Sequence, residues 1–600
     1  MCGINGILSL GADAPPIDHT ELVRTRDAMA SRGPDGSGVW VSEDGRVGLA
    51  NRRLAILDLT PAGAQPMADH DGRYRIVLNG EIYNFRELRQ DLERQGYVFR
   101  SQSDTEVLLA LYSREGKSML RRLRGMYSLA LWDDAERTLL LARDPYGIKP
   151  LYYALDRHYL RFASQVKALE AGGAVSASVD PGGLVGFLLW GSVPEPLTIR
   201  RAVRALPAGH LLEVRDGSAG GPEPHYRFGD AAPAAEMDLA AAFADSVRAH
   251  LVSDVPVAIF LSGGLDSSLL AALARRNLPE PPITFTLSFD LLAGTPLDEA
   301  PLAAETARRL GTRHVERRVG REDFARLWPA ATAAMDQPSI DGFNVYLVSH
   351  VAHEAGLKVA LSGLGGDELL GSYPSFRDVP RGAKWARRTA RVPGMAAAWP
   401  ALAHGLAPSR PKLAGLLRHG ASLAGAYFLR RGLFLPEELP DLIGRDAAAE
   451  GLAAYDPVTD AAATLDAPRS GHPGESEDAW LGVHLLESAH YMRNQLLRDA
   501  DWASMAHSLE LRVPLVDTRL RDGLARRGFA DVRARSKAEV VRQVAPELPE
   551  AVFAKRKSGF YVPVVPWLAG TGITQGTGSG LGSRQLARRL LLDNGMVSCA

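Results

Sequence analysis

A chain of 600 residues, 46% hydrophobic and 23% charged, is sized for several folded domains rather than one core. A formal net charge of −1 excludes the one-sign field of a nucleic-acid or membrane-surface binder, and no apolar run is long enough to span a bilayer. Two cysteines, Cys2 and Cys599, exclude a disulfide framework, and the opening MCGINGILSL lacks a basic leader, so the expected compartment is the cytoplasm.

Apolar stretches at 4–10 and 47–59 and the string RIVLNGEIYN (75–84) predict short strands. A helix is predicted from Phe85 to Gln95. Another is predicted over 103–116, where Ser, Asp and Thr open the segment, a Glu stands in the first turn and a Gly stops it. MYSLALWD, TLLLARD and PLYYAL carry the strand-and-turn pattern onward. Many strands with two helices predict an α+β domain over residues 2–212. Residues 213–237 are rich in Gly, Pro and Ala and read as a turn plus a linker. Strands and helices then alternate: helix 238–251, strand 257–261, a helix from Ser268, strand 283–289, helix 298–310, strand 313–319, helix 343–355 and strand 358–361. That alternation predicts a parallel, doubly wound α/β sheet within a domain over 238–570. From residue 380 helical spacing dominates, and the tail 571–600 is Gly-rich before one short basic helix.

Two strings carry the nucleotide chemistry. SGGLDSS (262–268) lies between a buried strand and a helix start, where α/β sheets bind ligands. Gly263 and Gly264 let backbone N–H groups approach phosphate oxygens, and the helix start behind them adds positive potential. Ser262, Ser267 and Ser268 offer hydroxyl donors. Asp266 would be repelled by bare phosphate and is expected to act through Mg²⁺. The spacing and the Lys of a Walker A loop are absent. SGLGGDELLGSY (362–373) repeats the logic after the next apolar strand, so Asp266 and Asp367 are the expected metal ligands. A lone SGG would read as a glycine-rich turn, but the full string SGGLDSS in this context leaves that reading a small share; the second string, weak alone as a solvated turn, becomes strong when paired with the first.

These residues, together with MCGINGI, SRGPDGSG, RRLAILDL, LNGEIYN, SDTEVLL, ARDPYGIKPLYY, SMAHSLELRVPLVD and KSGFYVPVVPWL, resemble the asparagine synthetase family of class II glutamine amidotransferases, from Cys2 to Trp567. The loop at 262–268 is similar to that of the N-type ATP pyrophosphatases. The resemblance implies an N-terminal-nucleophile αββα sandwich followed by an adenine-nucleotide α-hydrolase-like domain with a largely helical C-terminal part. It implies glutamine hydrolysis to ammonia, activation of aspartate by ATP and Mg²⁺ as β-aspartyl-AMP, and amidation to asparagine.

Residue by residue, the resemblance implies Cys2 as nucleophile once Met1 is removed, and Asn79 and Gly80 as the oxyanion pair. Arg53 would hold the glutamine carboxylate, and Glu81 and Asp104 its α-amino group. Lys557 would contact the reacting phosphates, with Lys555 and Arg556 as neighbouring alternatives. Asp290, Ser362 and Gly363 would contact adenosine. The sequence departs from the family at Leu364, where the family loop reads SGEGSDE, and at Trp502, where many relatives carry Arg. Both departures leave the acceptor open between aspartate and another carboxylate. The expected partners are small molecules, with neither nucleic acid nor membrane; a homodimer is the assembly considered. An idle regulatory protein is disfavoured because Cys2 and the pyrophosphate loop are intact.

Overall fold

The computed structural model describes residues 2–11, 13–228, 238–406, 411–467, 478–526, 529–555, 562–569 and 579–593. Its N-terminal part holds two antiparallel sheets. In one, the strand Cys2–Ser9 lies between Val47–Arg53 and Tyr159–Ala163. In the other, Tyr74–Ile82 pairs with Gly125–Asp133, which pairs with Thr138–Arg143.

Strand alternation sets the layers. Ile4, Leu8, Val47 and Leu49 of the first sheet meet Val77, Ala130, Trp132 and Leu139 of the second in a buried seam. The outer face of the second sheet, with Ile76, Leu78, Leu129 and Leu131, packs on the helices Phe85–Arg94 and Asp104–Glu115. Ile7 and Ala50 on the outer face of the first sheet pack on Leu22 of the helix His19–Asp27. Helix, sheet, sheet and helix therefore stack in four layers. Each fully buried Leu or Ile contributes roughly 1.5–3 kcal/mol to holding them.

Three details differ from the sequence reading. The strand expected over 47–59 ends at Arg53, because the chain turns so that the carbonyls of Leu57, Asp58 and Thr60 wrap the Arg53 guanidinium. The helix Pro181–Trp190 was not anticipated. It is apolar and buried on every side except at Pro181, so it has no amphipathic period to read. His210–Arg215, Ser218–Ala219 and Glu223–Pro224 join the second sheet, while residues 229–237 of the expected linker lie outside the described residues.

The C-terminal part is built on a five-stranded, wholly parallel sheet. Its order is Arg313–Val319, Ile283–Phe289, Val257–Phe260, Val359–Leu361, Glu510–Arg512. Taken in chain order, these strands run 3-2-1-4-5, the order of a doubly wound sheet. The direction of winding reverses between Val257–Phe260 and Val359–Leu361, the place where such sheets bind ligands. The fifth strand, Glu510–Arg512, was not anticipated. Helices fill most of the remainder, and the last one, Ser579–Asp593, packs Leu590 and Leu591 into the main C-terminal core. Among the described residues no helix is long and apolar enough to cross a membrane.

Candidate active site

Antiparallel register places Cys2 directly across from Arg53. Both line a cavity that opens to solvent, together with Gly80, Glu81 and Asp104. Cys2 is 7% exposed, and burial pushes its thiol up. Its backbone N–H donates to Asn79 Oδ1 at 3.2 Å, while Asn79 Nδ2 donates to Ser128 Oγ at 3.3 Å. The Asn79 amide therefore orients the main chain at the start of the first strand. Gly80 has φ 146°, and a Cβ there would lie 2.0 Å from the Met126 carbonyl oxygen. Only glycine permits that approach between neighbouring strands.

The adjacent arginines separate cleanly. Arg52 donates to Asp27 at 2.6 Å, an exposed pair. Arg53 is braced by the carbonyls of Thr60 at 3.1 Å and Asp58 at 2.5 Å, which aims its planar fork into the cavity wall. Asp104 begins a helix but does not cap it. That task falls to Ser103, whose Oγ accepts from the Thr105 N–H at 3.2 Å, leaving Asp104 Oδ2 to accept from the Ile82 N–H at 3.0 Å. Burial holds Asp104 above the usual carboxylate range. Glu81 is held well above it, first by burial and then by the charge of Glu510. Two acids so placed favour a cationic group entering the cavity.

The second site lies at the reversal point of the parallel sheet. Ser262 and Ser267 close the first loop on itself, with Oγ atoms 3.0 Å apart. Gly264 begins the helix Leu265–Asn277 without a side-chain cap, so first-turn N–H groups are left for a ligand. The Ser268 hydroxyl is buried, with no hydrogen-bond partner among the described residues. The loop after Val359–Leu361 packs tightly on this one: a Cβ on Gly363 would lie 2.7 Å from Asp266 Cβ, and one on Gly366 would lie 2.1 Å from Asp266 Oδ1. Small residues thus bring Asp266 and Asp367 together. Both carboxylates meet Lys537 Nζ, at 2.5 Å and 2.6 Å.

Lys537 was missed in the sequence. Its only local signal is the box formed by Ser536 and Glu539, which fixes the start of the helix Lys537–Val544. Lys557 lies outside the described residues. Lys555 reaches the first loop, with Nζ 3.2 Å from where a Gly263 Cβ would stand, and pairs with Glu299 at 2.5 Å. Asp290 stands at the end of Ile283–Phe289 against Gly320, beside a pocket of about 230 Å³ lined by Leu287, Phe289 and Glu299.

Two carboxylates from adjacent strand ends are a donor set for Mg²⁺, and the ammonium now between them stands in for such a cation. Among the described residues no group of three or more His, Cys, Asp or Glu gathers as a metal cage.

The two sites are joined by buried contacts. Arg32 makes a two-pronged pair with Asp501, at 2.7 and 3.1 Å, and its Nε donates to the Cys2 carbonyl at 3.1 Å. Arg124 pairs with Asp517 at 2.7 Å. Arg512 pairs with Glu510 at 2.5 Å, approaches Glu81 at 3.7 Å, and its carbonyl accepts from the Ser362 N–H at 2.9 Å. An apolar cluster runs from Leu54 and Ile56, which line the Cys2 cavity, through Met126, Met492 and Val516, and Leu364 of the second loop packs against it. Leu364 therefore extends an apolar seam. Trp502 is buried elsewhere, where its Nε1 donates to Asp499 at 2.8 Å.

Comparison with known proteins matches this division. Residues 1–226 fit a family described as a glutamine amidotransferase domain, and residues 238–599 fit one described as asparagine synthase. The chain is 31% identical to asparagine synthetase [glutamine-hydrolyzing] 1 of Bacillus subtilis over 95% of its own length and 88% of that protein. It is 33% identical to a putative asparagine synthetase [glutamine-hydrolyzing] of Mycobacterium tuberculosis, over 98% and 91% of the two chains. It is also 31% identical to the amidase chry2 of Gibberella zeae, over 63% and 60%. With a family match across well over half its length, and with both loops and the Cys2 cavity in place, the chain belongs to the asparagine synthase family.

Proposed function

We propose that this protein is a glutamine-dependent asparagine synthetase that makes ammonia at Cys2 and uses it at the loops 262–268 and 362–368. One observation carries the reading: a cavity around the buried Cys2 and a paired-carboxylate site at the sheet reversal are joined in one chain by an apolar seam.

In the first half-reaction, glutamine enters with its α-carboxylate on the Arg53 fork and its α-ammonium between Glu81 and Asp104. Removal of Met1 gives Cys2 a free α-amine in the position now fixed by Asn79 Oδ1, which can accept the thiol proton. The thiolate attacks the carboxamide carbon. The Gly80 N–H and the Asn79 amide, turned from Ser128, stabilise the oxyanion. The C–N bond breaks, ammonia leaves with the transferred proton, and water hydrolyses the thioester to glutamate. The four-layer stack with Cys2 at its strand start fits an N-terminal-nucleophile fold.

In the second, Gly263, Gly264 and the helix start behind them hold the pyrophosphate of ATP, and Ser268 offers its buried hydroxyl. Asp266 and Asp367 would hold Mg²⁺, which when bound neutralises phosphate charge. Lys537 and Lys555 are cations beside the two loops that would meet charge on the leaving pyrophosphate. The aspartate β-carboxylate oxygen attacks the α-phosphorus, and the bond from that phosphorus to pyrophosphate breaks. Ammonia then attacks the acyl carbon, loses a proton, and expels AMP. An apolar route past Leu364 suits ammonia because it disfavours ammonium.

Product analysis with glutamine, aspartate and Mg-ATP tests the reading. Asparagine, AMP and pyrophosphate should appear in equal amounts. Glutamate released with neither asparagine nor AMP would overturn the assignment of aspartate as acceptor.

A further inference from the structure

Lys537 is the first residue of its helix, where a cation opposes the helix dipole. It is also nearly enclosed, with 9% of its side chain exposed. Neither placement favours an ammonium group by itself. The compensation lies in Asp266 and Asp367, 2.5 Å and 2.6 Å from its Nζ, on two loops that small residues press together. Without a cation between them, those two carboxylates would repel each other. The Ser536–Glu539 box holds the helix start, and so the lysine, in register with the pair.

We propose that Lys537 is a resident counter-ion which closes the metal site until nucleotide arrives, so that a divalent cation enters with ATP and not before it. The proposal rests on the reading of Asp266 and Asp367 as the metal pair. A divalent cation alone must expel an ammonium that has nowhere better to go. A cation arriving with ATP brings phosphate oxygens to which the Lys537 ammonium can transfer, a short swing that leaves both carboxylates to the metal. Lys537 would thus be a positioning residue for metal loading, and it would couple metal and nucleotide affinity reciprocally.

Mn²⁺ alone serves as the probe, titrated into nucleotide-free protein and followed by electron paramagnetic resonance. Wild-type protein should bind it weakly. Lys537→Met should bind it at least about tenfold more tightly, since one positive charge has left the site, and Asp367→Asn in that background should remove the gain. Lys537→Arg should remain weak. Without metal, Lys537→Met should melt lower than wild type and recover on Mn²⁺ addition, a rescue that a purely structural lysine would not give. Lys537→Gln provides a second neutral variant with the same expected gain. Equal Mn²⁺ affinity in wild type and both neutral variants would overturn the proposal. No glutamine, aspartate or ATP enters the titration, so it can fail while asparagine synthesis stands, or succeed while that synthesis is refuted.

Discussion

In the Cys2 cavity, Glu81 and Asp104 face open space, with Asp104 anchored by the Ile82 N–H. At the reversal of the parallel sheet, Asp266 and Asp367 close on Lys537. On the function proposed above, the first is preformed for a substrate that carries its own ammonium group, and the second for a highly charged ligand, with Lys537 as an internal cation in the meantime. On that proposal burial alone prepares a site for a single charge, whereas a triphosphate with its metal calls for a counter-ion that can move.

The largest effect should come from breaking one side only. Cys2→Ala should lower glutamine-dependent synthesis by more than about 10³-fold, as removal of a nucleophile generally does, and leave ammonia-dependent synthesis within about twofold. Parallel assays with glutamine and with ammonium salt check it; loss of both activities together would contradict the division of labour.

A smaller effect should come from the contact between the sides. Asp501→Asn leaves Arg32 buried without its charge partner, a change that typically costs about 3–5 kcal/mol. Calorimetry should show the lower melting temperature. Because Arg32 also holds the Cys2 carbonyl, the glutamine-dependent rate should fall more than the ammonia-dependent one.

The smallest effect sharpens the comparison through pH. Burial, and then the charge of Asp341, push Asp499 from its ordinary 3.8 up to about 7. Between those values the folded chain keeps a proton that the unfolded chain has lost. The stability this contributes is full below the ordinary value and is lost as pH rises through about 7. Asp499→Asn does not titrate there, so it should gain on wild type by up to about 4 kcal/mol between pH 4 and pH 8. Denaturation at the two pH values reads the difference; a gain at low pH would contradict the sign.

Much of this was legible in the sequence, for physical reasons that also explain the remainder. The strands from Val257 to Leu361 alternate with helices, so hydrophobic period and turn chemistry agreed. Ser103 and Gly116 bracket their helix as capping chemistry predicts. The strand Glu510–Arg512 was invisible, because three residues carry no period and two of them are a buried ion pair. At the first site, Cys2, Arg53, Gly80, Glu81 and Asp104 line one cavity, a grouping that the resemblance suggested and spacing alone could not. Lys537 was not found because it stands 271 residues from Asp266, and only the folded sheet brings them together. The role of Leu364 likewise needed its packing: alone it is a lost acid, and in place it continues an apolar seam.

The most direct test of two coupled sites is isotopic. Protein is given glutamine labelled with ¹⁵N in the amide, aspartate and Mg-ATP, in the presence of excess unlabelled ammonium, and the asparagine formed is analysed by mass spectrometry. If, as proposed, ammonia passes along the apolar seam from Cys2 to Leu364, asparagine should carry ¹⁵N in its side-chain amide with little dilution. Asparagine diluted to the isotopic composition of the bulk ammonium would contradict it.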